Sequence, residues 1–244
     1  MADGVLDGVE GWLSDDQAGR LRARAAAVPA AGTIVEIGSY RGRSTIVLAS
    51  AAREGVRVVA IDPHAGNDRG PQQIRGSVDE GEADHLAFAA NLERAGVAAR
   101  ISHVRLPSAR ALGAVDGEID LLYVDGAHRF GPARGDLRDW GTRVASGGSM
   151  LVHDAFSSVG VTLAILVELL FSRSFEYVGR SRSLAEYRRA ATPLRGRTRA
   201  ANAVRQLAEL PWFARNVLIK VALVAGLRGP AVWLGHRAED PWPY

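Results

Sequence analysis

Short apolar runs alternate with amphipathic stretches from residue 14 to residue 188. The apolar runs at 33–37, 57–61, 99–104, 119–124 and 149–153 have the length of buried strands, and each is bounded by Gly or polar residues. Between them, 14–27, 43–53, 82–95, 108–113, 132–143 and 159–171 carry helical spacing. Ser14 sits where an N-cap belongs, with Asp15 and Asp16 at the positive end of the helix dipole, and Gly96 follows the 82–95 helix as a stop. Residues 175–179 and 183–188 read as two adjacent strands with only a tight turn between them. Strands alternating with helices predict an α/β fold, a doubly wound, seven-stranded, mostly parallel sheet covered on both faces. The closing pair, which has no crossover helix, predicts an antiparallel strand at one side.

After about Ala190 the pattern changes, dividing the chain into a domain at 1–190 and a tail at 191–244. Residues 192–199 read as a linker of Pro, Gly and Arg, and 200–227 as one increasingly apolar helix. Arg215 and Lys220 interrupt that helix, so it does not suit a membrane span. A helix of this kind covers the domain, joins a second copy of the chain in a homo-oligomer, or makes a peripheral membrane contact through 200–235.

Composition narrows the chemistry. The 244 residues include no cysteine, which removes disulfides, thiol nucleophiles and thiolate metal sites. No charged-then-apolar leader opens the chain, so a cytoplasmic location is expected. Lys220 is the sole lysine among 30 basic residues, and the net charge is only +3, so basicity alone does not point to nucleic acid. Arginines do crowd between Arg180 and Arg205, with Glu186 as the one acid among them. That stretch reads either as a solvated segment or as a patch that meets an anion.

The first candidate site is Val35-Glu-Ile-Gly-Ser-Tyr-Arg-Gly-Arg-Ser44, a Gly-rich turn between a strand and a helix. Such a turn lets backbone approach a ligand closely. It has no phosphate-loop Lys, and Gly38 and Gly42 are spaced unlike a dinucleotide fingerprint. Asp62 ends the second strand, 26 positions after Glu36, where an acid can accept hydrogen bonds from both ribose hydroxyls. That role fits an adenosine ligand without choosing between S-adenosylmethionine (SAM) and a nicotinamide cofactor.

The turn resembles motif I of class I SAM-dependent methyltransferases, especially the metal-dependent enzymes related to catechol O-methyltransferase. The matching positions are Glu36, Gly38, Tyr40, Gly42 and Ser44. The resemblance implies a Rossmann-like methyltransferase fold in which Gly38, Tyr40 and Ser44 hold the methionine end of SAM and Asp62 its ribose. Ser108, in Leu106-Pro-Ser-Ala-Arg110, falls where relatives contact adenine, although their preceding Gly-Asp is Leu106-Pro107 here.

The second half carries Ile119-Asp-Leu-Leu-Tyr-Val-Asp-Gly-Ala-His128 and Gly147-Gly-Ser-Met-Leu-Val-His-Asp154. These segments resemble a bacterial O-methyltransferase family acting on macrolide sugars, cephamycin precursors and methylmannose polysaccharides. Methyl transfer to a hydroxyl needs the acceptor's proton removed, which a divalent cation and a base together achieve. The resemblance implies Asp125 and Asp154 as ligands of Mg²⁺ or Mn²⁺, with His153 where relatives carry a third ligand, usually acidic. His128 falls where catechol-type enzymes carry a Lys base, and a neutral imidazole can take a proton near pH 7. Tyr40 can offer its ring face to a sulfonium.

His64, His85 and His103 read as loop or surface histidines, with His64 near enough to Asp62 to line a pocket. The polar loop from His64 to Gly81, with Asn67, Asp68, Gln72, Gln73 and Arg75, suits a lid over a polyol acceptor. The expected function is therefore metal-assisted O-methylation of a small molecule or saccharide hydroxyl. The alternatives are a non-catalytic SAM-binding or membrane-associated scaffold and an RNA methyltransferase. Against RNA, no base-flipping motif or RNA-binding module is present.

Overall fold

The computed structural model describes residues 4–67 and 75–236. Seven strands form one sheet: β1 (Thr33–Ile37), β2 (Arg57–Ile61), β3 (Ile101–Val104), β4 (Ile119–Val124), β5 (Val144–Val152), β6 (Phe175–Ser181) and β7 (Leu184–Arg189). Their order is β3-β2-β1-β4-β5-β7-β6. The first five run parallel, and β7 is antiparallel to both β5 and β6. Strand order reverses between β1 and β4, which opens a crevice at their carboxyl ends.

Alternate residues of each strand feed opposite cores. Val35, Val59, Leu122 and Met150 pack on one face, against α5 (Phe130–Asp139) and α6 (Val159–Glu168). Ile34, Val58, Leu121 and Leu151 pack on the other, against α1 (Asp15–Ala27), α2 (Arg43–Ala51) and α3 (Val78–Arg94). Ser14 caps α1 in a reciprocal capping box with Gln17, as its position predicts. The short helix α4 (Ser108–Ala111) follows β3.

Several boundaries move. Helix α3 starts at Val78 rather than Glu82, because Ser77 accepts the Glu80 amide hydrogen and caps it, and Gly81 lies inside the helix. Strand β5 begins five residues earlier than its apolar run, at Val144. The expected single helix over 200–227 is instead α7 (Gly196–Leu207), α8 (Leu210–Val224) and α9 (Arg228–Trp233).

These last helices dock on the sheet edge and on the loop after β5. Asn202 of α7 accepts the Tyr177 amide hydrogen at 2.7 Å and donates to the Phe175 carbonyl at 3.1 Å, satisfying backbone of edge strand β6. Gln206 donates to the Leu169 carbonyl. From α8, Asn216 donates to the Phe156 carbonyl and Lys220 to the Ser157 carbonyl at 2.9 Å. Leu218, Val221 and Val224 of α8 and Trp233 of α9 face outward. Among the described residues, no helix is long and apolar enough to cross a membrane.

Part of the arginine-rich stretch is tied down by internal partners. Arg180 pairs with Glu209 at 2.7 Å and lies over the Trp212 ring, Arg189 donates to the Gly141 and Thr142 carbonyls, and Arg199 to that of Phe171. Glu186 is not their counter-charge. It is fully buried and paired with Arg20 at 2.6 Å and Arg24 at 2.7 Å, both on α1.

Candidate active site

A cleft of 580 Å³ opens at the carboxyl ends of β1, β2 and β4. Gly38, Tyr40, Ser44 and Asp62 line one side, Ser108 and Asp136 another, and Asp125 and His128 the floor toward β4. Glu10 and Trp12, from the segment before α1, also border it.

The glycine turn is built by close approach. Gly38 has φ +84°, and a Cβ there would lie 2.1 Å from the Asp125 carbonyl oxygen. Only a residue without a side chain lets β1 exit against the loop after β4. Tyr40 holds φ +45°, a conformation that costs a bulky residue free energy and that concentrates at functional turns. Its ring lies 5.3 Å from that of Trp12, forming an aromatic wall. Gly42 leads directly into α2 as its N-cap.

Asp62 ties this turn to β2. Its Oδ2 accepts the Ser39 and Tyr40 amide hydrogens, each at 2.9 Å, and its Oδ1 accepts that of His64 at 2.7 Å. Three of a carboxylate's roughly four acceptor positions are thus occupied by backbone. Glu36 does not face the cleft. Strand alternation turns its side chain beneath the turn, fully buried, where Ser44 and Thr45 hydroxyls donate to its two oxygens. Burial raises its pKa to about 7 against those two hydrogen bonds, and the charges of Asp125 and Asp62 add to the rise.

On the opposite wall, Ser108 donates to Asp136 at 2.5 Å, and burial raises the Asp136 pKa to about 6. Asp136 had no motif to mark it in the sequence. Its only signal is an acid on the apolar side of α5, one turn before Trp140.

Asp125, His128 and Asp154 converge, each offering a ligand atom within 4.8 Å of the others. The Tyr123 hydroxyl donates to Asp125 at 2.7 Å, and His128 Nε2 lies 2.6 Å from Asp154 Oδ2. Asp154 sits at φ +55°, in the turn braced by α8. His153 is outside that three-residue group, yet its Nδ1 is 3.2 Å from Asp125 and 3.5 Å from Asp154. Neither of its buried ring nitrogens has a hydrogen bond of good geometry. Burial opposes protonation of His128, but the bond to Asp154 and the charges of Asp154 and Asp125 outweigh it and raise the pKa. The same balance holds the His153 pKa well up and, through both imidazoles, the Asp154 pKa well down.

The reading of His64, His85 and His103 as loop or surface residues is corrected. His85 lies on α3 and His103 on β3, and the three rings stand 5.1–5.2 Å apart beside Phe88. Burial lowers the His85 pKa and takes that of His103 to about 4, so both rings are neutral at pH 7. Of the expected lid residues, Asn67 lines the cleft, Arg75 lies just before the Ser77 cap, and Asp68, Gln72 and Gln73 fall outside the described residues.

Residues 35–155 match a family described as a methyltransferase domain. The cofactor-bound protein Rv0187 from MTB is similar, with a TM-score of 0.52 and 21% identity over 78% of this chain and 87% of that one. So is the O-methyltransferase TomG from Streptomyces achromogenes, involved in tomaymycin synthesis and solved with SAM, at TM-score 0.51 and 20% identity over 72% and 79%. The O-methyltransferase NovP gives a TM-score of 0.54 and 17% identity over 72% and 80%. At these identities the likeness establishes a shared fold, the Rossmann-like class I methyltransferase fold.

Proposed function

We propose that this chain, with a methyltransferase domain over residues 35–155 and the class I fold, is a SAM-dependent O-methyltransferase acting on a hydroxyl of a small molecule or saccharide. The observation that carries the reading is one cleft lined both by the glycine turn and by Asp125 and His128, with the buried Asp154 completing their cluster. SAM supplies an electrophilic methyl group on a sulfonium, and a divalent cation makes a bound hydroxyl more acidic. The cleft offers a sulfonium no lysine, but instead the carboxylate of Asp125 and the face of Tyr40. Ser108 and Asp136 line the wall suited to an adenine.

Two carboxylates with an imidazole between them fit a divalent cation. His153 Nδ1, buried without a well-formed hydrogen bond between Asp125 and Asp154, leaves a donor set that such an ion would complete. Asp125 and Asp154 would hold it, with His153 as the nitrogen ligand, and the mixed set suits Mn²⁺ better than Mg²⁺. His128 is the group placed to remove the acceptor's proton. Asp154 fixes the ring through Nε2, leaves Nδ1 to receive the proton, and stabilises the resulting imidazolium. Tyr123 holds Asp125 in place from beneath. Arg180, Arg189 and Arg199 are committed to partners within the fold, which weakens the reading of their stretch as an RNA-binding patch.

The test is an acceptor screen with methyl-labelled SAM, joined to calorimetric SAM binding. His128→Ala should bind SAM almost as the parent does and lose about a hundredfold or more in turnover. Absence of SAM binding by the parent protein, or full turnover by both His128→Ala and Asp125→Asn, would end the proposal.

A further inference from the structure

The cluster of His64, His85 and His103 lies behind the cofactor wall and has no part in the chemistry above. His64 borders the cleft, whereas His85 and His103 do not. The three rings come together because α3 lies hard against the bend after β2. A Cβ on Gly81 would sit 2.0 Å from the His64 carbonyl oxygen, so glycine there admits the helix, and His85 follows one turn later on the same face. His103 is brought alongside by β3, in register with Ala60 of β2.

Each ring keeps one buried nitrogen without a hydrogen-bond partner: His64 Nδ1, His85 Nδ1 and His103 Nε2. The His64 side chain is only 1% exposed. Its Nε2 must donate to the Tyr40 carbonyl at 2.8 Å, so in the neutral ring Nδ1 carries the lone pair. A backbone carbonyl fixing the outer nitrogen of an imidazole is the usual support of a metal-binding histidine. Buried polar atoms left unpaired carry a penalty that a native fold normally avoids, and three of them in one place call for a common partner.

We propose that His64, His85 and His103 form a second metal site, for a Zn²⁺-class transition ion, distinct from the Asp125–Asp154 cluster. Ligand nitrogens of the three residues lie within 4.8 Å of one another. A tetrahedral ion with bonds of about 2.0–2.1 Å holds its ligands roughly 3.4 Å apart, a closure that small side-chain rotations supply. An all-imidazole set selects Zn²⁺, Ni²⁺ or Cu²⁺ over Mg²⁺. Asp62 Oδ1 is the near anion, 3.9 Å from His64 Nδ1, and the neighbouring Arg105 is paired with Glu82 at 2.6 Å. The partly exposed edge at His85 and His103 gives the ion its way in. Because His64 also bonds the Tyr40 carbonyl and the Asp62 carboxylate, an ion there pins the glycine turn without touching the reacting groups.

The test uses untagged, chelator-treated full-length protein titrated with Co²⁺, whose visible absorption reports tetrahedral nitrogen ligation, followed by displacement with Zn²⁺. An Asp125→Ala/Asp154→Ala double variant removes the other cluster and should still take up one Co²⁺ per chain. His103→Ala and His85→Gln should each weaken that uptake by at least about tenfold. His85→Gln stands at a partly exposed helical position and keeps the fold, which circular dichroism checks. No stoichiometric uptake at micromolar protein, or uptake lost in the double variant and untouched by His85→Gln, would overturn the assignment.

Discussion

Replacing Glu36 with Gln probes how the glycine turn is held. The carboxyl lies beneath the turn, bonded by Ser44 and Thr45, and its pKa rises from 4.5 to about 7. An acid whose pKa is higher in the folded state stabilises the fold fully below its unfolded pKa, and this contribution is lost as pH climbs through the folded value. The whole span is worth about 3 kcal/mol, from 1.36 kcal/mol per pKa unit. About 2 kcal/mol of it falls between pH 5 and pH 7. Gln mimics the protonated carboxyl and does not titrate, so Glu36→Gln should gain stability on the parent by about 2 kcal/mol over that interval. For a chain of this size that is a relative shift of roughly 4–8 °C in Tm. Urea unfolding of both proteins across that range, with SAM absent, reads the difference directly. A gap that stays constant with pH would refute the reasoning, because the buried carboxyl would then not be titrating. A bound sulfonium would favour the ionised carboxylate, so adding SAM should flatten the parent's slope.

Gly38→Ala should cost at least about 3 kcal/mol in urea unfolding, since the new methyl group meets the Asp125 carbonyl in a left-handed backbone; parental stability would contradict the close packing described. Asn202→Ala should cost about 1–3 kcal/mol while leaving one thermal transition, because its two bonds to β6 bind the final helices into the same cooperative unit. A separate early transition for the last helices would show the opposite.

Strands β1, β2 and β4 were legible because each is an apolar run buried on both faces and closed by Gly or Asp. The position of Asp62 was equally plain, while the three backbone amides it ties together were not. Glu36 was legible as part of a motif, while its direction depended on strand alternation under α2. The three histidines lie on separate elements spanning 64 to 103, and only parallel pairing of β2 with β3 and the close seat of α3 unite them. No linear spacing encodes that. The start of α3 was hidden because Val78 is exposed and Gly76 and Gly81 look like loop residues, though Gly81 is a packing contact. The arginine stretch stayed open for a related reason. Charge density in a sequence does not reveal how many guanidiniums cap carbonyls of their own fold.

The only ε-amine of the chain belongs to Lys220, and it is spent on the Ser157 carbonyl, three residues past the acid at 154. Acylating reagents therefore have a single side-chain amine to find, half-buried while α8 is seated and freed when it lifts. A chain so poor in lysine carries its own chemical reporter of whether the C-terminal helices are in place.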